Sequence, residues 1–125
     1  MRTPSDIVKD FLKACEPAFG YRAAISQYLS SDCAYENVGL TNTIGPAQAS
    51  TLFDGFNSQM GFASLIIEMV SLVAAGNTVM TERIDHLDDA AGKRLLSLRV
   101  MGVFEVSGEK ITAWRDYFDT VPFRG

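Results

Sequence analysis

Two segments of the chain carry charged residues where the alternation of a strand would otherwise place apolar ones. Arg83 and Asp85 are two residues apart, so on a strand both side chains project from one face, between aliphatic neighbours. Asp116 stands between Trp114 and Phe118 in the same alternating pattern. Polar residues on a face that should be buried are the informative exceptions in a sequence. These three residues are therefore candidates for a site inside the protein.

A third segment offers a phenol and an amide on one face. Tyr35 and Asn37 lie two residues apart in the stretch 33–40, which is predicted to be extended. Alone, these two residues are equally compatible with a strand edge followed by a turn. If the three faces form one wall of a cavity, five polar side chains meet there: Tyr35, Asn37, Arg83, Asp85 and Asp116.

Two carboxylates bridged by one guanidinium in a dry pocket favour a particular chemistry. Repulsion between the acids, together with desolvation, raises the pKa of one of them, while the arginine keeps the other ionised. One acid can then donate a proton while its partner accepts one. A phenol and an amide beside the ionised acid can hold a water molecule through their donors and acceptors. Such a set of groups suits the addition of water to an electrophile whose leaving oxygen needs a proton.

Three short motifs resemble those of the limonene-1,2-epoxide hydrolase family. They are Tyr35-Glu36-Asn37, Glu82-Arg83-Ile84-Asp85 and Trp114-Arg115-Asp116-Tyr117-Phe118-Asp119. The resemblance runs from about residue 5 to residue 123, and the combined pattern is more specific than any one piece. It implies a cone fold like that of nuclear transport factor 2, a homodimer, and one-step hydrolysis without a covalent intermediate.

The resemblance also implies a role for each candidate residue. Asp116 corresponds to the general base that deprotonates water, and Tyr35 and Asn37 help to hold that water. Asp85 corresponds to the general acid that protonates the epoxide oxygen, and Arg83 bridges the two carboxylates. The expected substrate is a small apolar epoxide, alicyclic or terpenoid, which is converted to a vicinal diol.

Hydrophobic spacing predicts helices first along the chain and strands afterwards. Apolar residues recur at helical intervals over 4–15, and Pro17 ends that helix. A second helix is predicted over 18–29, and a third from Gly45 to about Phe56. From residue 62 the spacing becomes that of strands. Four strands are predicted, at 62–75, 78–87, 94–106 and 110–118.

Short polar turns separate these four strands, so they are expected to pair as antiparallel neighbours. The fold class is therefore α+β: a strongly curved sheet, mixed or antiparallel, wrapped over the N-terminal helices with a cone-shaped pocket between them. A chain of 125 residues with 47% hydrophobic residues is expected to form a single domain over 1–125. A long twisted sheet over helices leaves a cavity in which a ligand would bind.

Composition excludes several classes of function. The net charge is −4 and no basic cluster exists, which argues against a nucleic-acid surface. The most apolar stretch, 62–75, contains Glu68 and is too short to span a bilayer. Two cysteines and an N-terminus without an apolar signal core lead us to expect a cytoplasmic protein with reduced thiols. The lone His86 cannot form a metal site, so no metal and no cofactor are expected.

Three other interpretations remain open at this point. The charged residues could form a structural salt bridge, although desolvation makes such buried networks an expensive source of stability. The same cone could belong to a steroid-isomerase-like or polyketide-cyclase-like enzyme, or to a module that binds a small ligand without chemistry. Glu68 could be a further pocket acid, a dimer contact or a solvated side chain. Apolar residues on both strand faces, with the resemblance, predict a homodimer through the outer face of the sheet.

Overall fold

The computed structural model describes residues 2–123, in which helices cover one face of a curved sheet. The helices are α1 (Pro4–Ala14), α2 (Gly20–Tyr28) and α3 (Gly45–Met60), with a 3-10 turn at Val121–Phe123. The strands are β1 (Leu29–Asn37), β2 (Thr41–Ile44), β3 (Ser64–Ala75), β4 (Thr78–Asp88), β5 (Arg94–Ser107) and β6 (Lys110–Tyr117). The predicted α+β architecture is confirmed.

The six strands form one sheet in the order β2-β1-β6-β5-β4-β3. Strands β3 to β6 pair as antiparallel neighbours, as the short turns predicted. The pairing of β1 with β6 is parallel, with Asn37 opposite Asp116 and Tyr35 opposite Trp114. The sequence left the partner of β1 open, because a parallel pair has no short turn to reveal it. This pair brings the first and last strands of the chain side by side in the interior of the sheet.

Several element bounds differ from the predicted ones, and one strand was not predicted. Residues 30–32, expected only to end the second helix, already belong to β1. The four-residue strand β2 was not predicted, because so short a segment carries little alternation. Helix α3 continues to Met60 rather than ending near Phe56. It ends at Gly61, whose φ of +71° suits glycine and whose N–H donates to the Asn57 carbonyl at 2.8 Å.

The N-terminal helix begins with a capping box. The Asp6 N–H donates to Thr3 Oγ1, and Asp6 Oδ2 accepts from the Thr3 N–H, both at 3.1 Å. Its buried face then presents Phe11, whose ring meets Trp114 edge-on at 5.1 Å between centroids and Tyr28 at 6.0 Å. The helix thus packs directly on the strand that carries Asp116. None of the helices within 2–123 is long and apolar enough to cross a membrane.

Candidate active site

A cavity of about 810 Å³ opens between α3 and the inner face of the sheet. All five predicted site residues line it, and most of the other lining side chains are aliphatic or aromatic. Its volume lies in the upper part of the roughly 300–1,000 Å³ range of small-molecule sites. Further polar lining is contributed by Cys15, Thr41 and Gln59. The fold therefore encloses a largely apolar space with a few convergent polar groups.

Arg83 lies at the centre of the polar groups. Its Nε donates to Asp85 Oδ1 at 2.9 Å, and its Nη2 donates to Asp85 Oδ2 at 3.2 Å. The same Nη2 donates to Asp116 Oδ2 at 2.7 Å. Arg83 is 2% exposed and is the largest of the fully buried side chains of the described residues. One guanidinium therefore joins a carboxylate from β4 to a carboxylate from β6.

Asp85 is the more accessible of the two acids, with 20% of its side chain exposed against 7% for Asp116. Burial raises the pKa of Asp85, and the charge of Arg83 opposes that rise while the charge of Asp116 adds to it. The net pKa is higher than that of an ordinary aspartate. Asp85 is therefore suited to carry a proton and to donate it.

Both oxygens of Asp116 accept hydrogen bonds from groups that can only donate. Oδ2 accepts from Arg83, and Oδ1 accepts from the Trp114 indole Nε1 at 2.9 Å. The indole is held in turn by stacking, with the Tyr35 ring at 3.9 Å and the Phe104 ring at 5.7 Å between centroids. Asp116 is thus fixed from two sides as a hydrogen-bond acceptor.

Tyr35 and Asn37 are neighbours of Asp116 across the β1–β6 pair. Asn37 Nδ2 lies 3.1 Å from the Tyr35 hydroxyl and donates to Thr41 Oγ1 at 3.0 Å. The Asn37 carbonyl oxygen lies 3.3 Å from the Tyr35 hydroxyl, from which it accepts, and it has a second lone pair that can accept from a water molecule. Burial, reinforced by the Asp116 charge, raises the pKa of Tyr35 well above its ordinary value, so its hydroxyl keeps its proton.

Three contacts of this site were not predicted. Trp114 was expected only as an aromatic neighbour of Asp116, yet its N–H bonds to the carboxylate. Thr41 lies on β2, the short strand that carries too little alternation to be predicted. Gly102 lies beneath the Arg83 guanidinium. A glycine in the middle of a long strand was the available signal for that close approach.

Other candidate residues lie away from the polar groups of the cavity. Glu68 and His86 contact each other on the outer face, with 3.0 Å between Oε1 and Nε2, so Glu68 is not a pocket acid. Of the two cysteines, Cys33 is fully buried, and burial raises its pKa to about 12. Cys15 is buried and also lines the cavity.

Comparison with known proteins agrees with the motifs. The chain matches the family model of the limonene-1,2-epoxide hydrolase catalytic domain over residues 2–123. It is 38% identical over 91 residues to epoxide hydrolase EphG of Mycobacterium tuberculosis. That match covers 73% of this chain and 58% of EphG, so it spans little more than half of the relative's length.

Solved structures place this fold in a wider group. An M. tuberculosis LEH-like epoxide hydrolase superposes with a TM-score of 0.75 and 32% identity, covering 94% of this chain and 83% of that one. A putative SnoaL-like polyketide cyclase from Shewanella putrefaciens has a TM-score of 0.78 at 13% identity, covering 95% and 81%. At that identity the likeness concerns the fold alone. The family match over almost all of the chain decides among these relatives: the protein belongs to the limonene-1,2-epoxide hydrolase family.

Proposed function

We propose that the protein hydrolyses a small apolar epoxide, alicyclic or terpenoid, to a vicinal diol in one step and without a cofactor. The observation that carries the proposal is the single guanidinium of Arg83 that bonds to both Asp85 and Asp116 in a largely apolar cavity. Ring opening by water needs one proton removed from the water and one delivered to the leaving oxygen. Two carboxyl groups in unequal environments can do both at the same time.

Asp85 acts as the general acid. Its raised pKa favours the protonated carboxyl more than in an ordinary aspartate, and its side chain is more exposed than that of Asp116. As the epoxide C–O bond breaks, the Asp85 proton passes to the ring oxygen, and the carboxylate that forms is stabilised by Arg83. Because Arg83 also bonds to Asp116, the same cation stabilises the negative charge on both carboxylates.

Asp116 acts as the general base. A water molecule held by Asn37 and Tyr35 beside Asp116 loses its proton to the carboxylate as its oxygen attacks the epoxide carbon. The Trp114 and Arg83 hydrogen bonds hold the carboxylate in one orientation throughout. In this step Asp116 gains one proton and Asp85 loses one. Exchange with solvent returns both carboxyl groups to their starting states before the next turnover.

A covalent ester route fits these residues less well. An aspartate nucleophile needs a second base, usually a histidine, to hydrolyse the ester. His86, the single histidine of the sequence, contacts Glu68 and Ser97 on the outer face of the sheet. A steroid-isomerase-like reaction needs one base facing an oxyanion hole and no bridging arginine. Direct attack by water is therefore the mechanism that uses all five polar side chains.

We further propose a homodimer formed through the outer face of the sheet. Six large apolar side chains on that face are each 45–62% exposed: Ile66, Val70, Val73, Met80, Met101 and Tyr117. They come from four neighbouring strands, and the pairing sets Val73 opposite Met80 and Met101 opposite Tyr117. Apolar patches of this kind mark sites of association. The cavity opens on the opposite face, so pairing in this way leaves it accessible to substrate.

Replacing either acid by its amide should stop the reaction without unfolding the protein. Each proton transfer contributes roughly 10²–10⁴-fold to the rate. The kcat of Asp116→Asn and of Asp85→Asn should therefore each fall by about that factor. The assay incubates racemic epoxides of increasing bulk and resolves the diols by chiral chromatography. Asp10→Asn is the matched control, because Asp10 is exposed on α1.

Two outcomes would count against these roles. Asp116→Asn with wild-type diol formation would remove Asp116 as the base. If the wild type binds the epoxides but forms no diol from any of them, the cavity is a binding site without this chemistry.

Removing the indole N–H of Trp114 should slow the reaction while substrate binding persists. A hydrogen bond to a charged group contributes about 1.5–3 kcal/mol, so its loss corresponds to roughly a 10–100-fold fall in kcat. Trp114→Phe tests this, and benzothienylalanine at the same position keeps the bicyclic ring but lacks the N–H. If the benzothienylalanine protein retains the full kcat, the hydrogen bond has no part in holding the base.

A charge on the outer face should separate the dimer. Val70→Asp buries a carboxylate in the proposed interface and should give a monomer by sedimentation velocity at micromolar concentration, whereas the wild type should sediment as a dimer. Val121→Asp serves as control, because Val121 is 68% exposed and lies off the sheet. A wild-type monomer under these conditions would contradict the proposal.

A further inference from the structure

The Arg83 guanidinium crosses a whole strand to reach Asp116. Arg83 lies on β4 and Asp116 on β6, with β5 between them, so their backbones are about 10 Å apart. The residue of β5 directly opposite Arg83 is Val100, whereas Asp116 is opposite Gly102. The side chain therefore runs diagonally across β5 and ends over Gly102.

Gly102 provides the space that this crossing requires. A Cβ built on Gly102 would overlap Arg83 Nη1 and would lie 2.8 Å from Asp116 Oδ1. Both approaches are far inside van der Waals contact, and both atoms are held by other hydrogen bonds. The neighbours of Gly102 on the same face of β5 are Val100 and Phe104, which are ordinary buried strand residues.

Conformation does not explain this glycine. Its φ is outside the left-handed region that favours glycine, unlike that of Gly108 in the following turn, which is +59°. A glycine inside a strand weakens the strand relative to alanine, because it has more backbone freedom to lose. What Gly102 provides in return is the room for a planar cation against the backbone.

Thr81 completes the contacts of the guanidinium. Arg83 Nη1 donates to Thr81 Oγ1 at 3.2 Å, and that hydroxyl donates to the Gly102 carbonyl at 3.3 Å. Thr81 is fully buried and lies opposite Gly102 across the β4–β5 pair. The third nitrogen of the cation is thus tied to the backbone of the strand that it crosses.

We propose that Thr81 and Gly102 are positioning residues of the reaction: together they hold the Arg83 guanidinium at the one place from which it reaches both Asp85 and Asp116. This inference rests on the proposed epoxide hydrolysis, in which the two carboxylates have opposite tasks. Neither residue touches the reacting atoms. They fix the position of the shared cation. That position in turn determines which carboxyl group donates a proton and which one accepts it.

The first test places a methyl group in the space beneath the cation. Gly102→Ala displaces Arg83 from one carboxylate, and a misplacement of about 1 Å at a reacting centre costs on the order of 10²-fold in rate. We expect kcat to fall by about that factor while KM changes by less than about threefold. Gly55→Ala is the matched control, since Gly55 is exposed on helix α3 and a Cβ there meets nothing within 4 Å.

A second pair of variants leaves the backbone unchanged. Thr81→Val keeps the shape of the side chain and removes the hydroxyl, so kcat should fall roughly 10–100-fold. Thr81→Ser keeps the hydroxyl and should stay within a few-fold of the wild type. If Gly102→Ala does not fold, the two Thr81 variants still test the positioning of the guanidinium. Equal kcat in the valine and serine variants would overturn the role of Thr81.

A third measurement does not depend on turnover. In protein labelled with ¹³C at the aspartate carboxyl carbons, Asp85 can be assigned by its loss in Asp85→Asn and titrated by NMR. Burial raises the pKa of Asp85 and the Arg83 charge opposes that rise, so displacing Arg83 should move the Asp85 titration to higher pH. The same shift should appear in Gly102→Ala and Thr81→Val, and be absent in Gly55→Ala and Thr81→Ser.

The outcomes separate the two proposals. A shifted Asp85 titration in a protein that hydrolyses no epoxide would keep the positioning role and reject the proposed function. Epoxide hydrolysis in the wild type, with an unshifted titration and full kcat in Gly102→Ala, would reject the positioning role alone.

Discussion

The contact of one buried guanidinium with two carboxylates is the constraint on which the rest of the site depends. Burying Arg83 at 2% exposure is unfavourable unless its donors are met by charged or polar acceptors. Asp85, Asp116 and Thr81 together meet them. Removing one partner of such a network leaves an uncompensated charge, which costs more than the network contributes. The network is therefore a weak source of stability for the fold.

The sheet is built so that this contact can form. The parallel β1–β6 pair sets Asn37 beside Asp116, and the antiparallel β5–β6 pair sets Gly102 on its other side. Aromatic rings then hold the indole that donates to Asp116, because Tyr35 and Phe104, on the two strands that flank β6, both stack on Trp114. Helix α1 closes the core through Phe11. These strands thus contribute to the packed core and also orient the polar side chains of the site.

The period of two along a strand made much of the site predictable. That period alone assigns Arg83 and Asp85 to one face of β4, and His86 to the opposite face. Register between strands has no such local signal, so neither the parallel pairing that sets Asn37 opposite Asp116 nor the close approach of Arg83 to Gly102 could be predicted. A bulge between Met69 and Ser71 also shifts the alternation in β3, which single-strand parity cannot foresee. The face on which each residue of a strand lies was thus accessible, whereas contacts between strands, and the hydrogen bond from Trp114 to Asp116 within β6, were not.

Direct attack of water on the epoxide is the step that the proposed mechanism depends on most. The most direct test is a single turnover in ¹⁸O-water with enzyme in excess over epoxide, followed by mass spectrometry of the diol and of the peptides that contain Asp85 and Asp116. Direct attack predicts one ¹⁸O atom in the diol and none in either carboxyl group. Hydrolysis of a covalent ester would instead leave solvent oxygen in the attacking carboxylate. Label in Asp85 or Asp116 after one turnover would contradict the one-step mechanism.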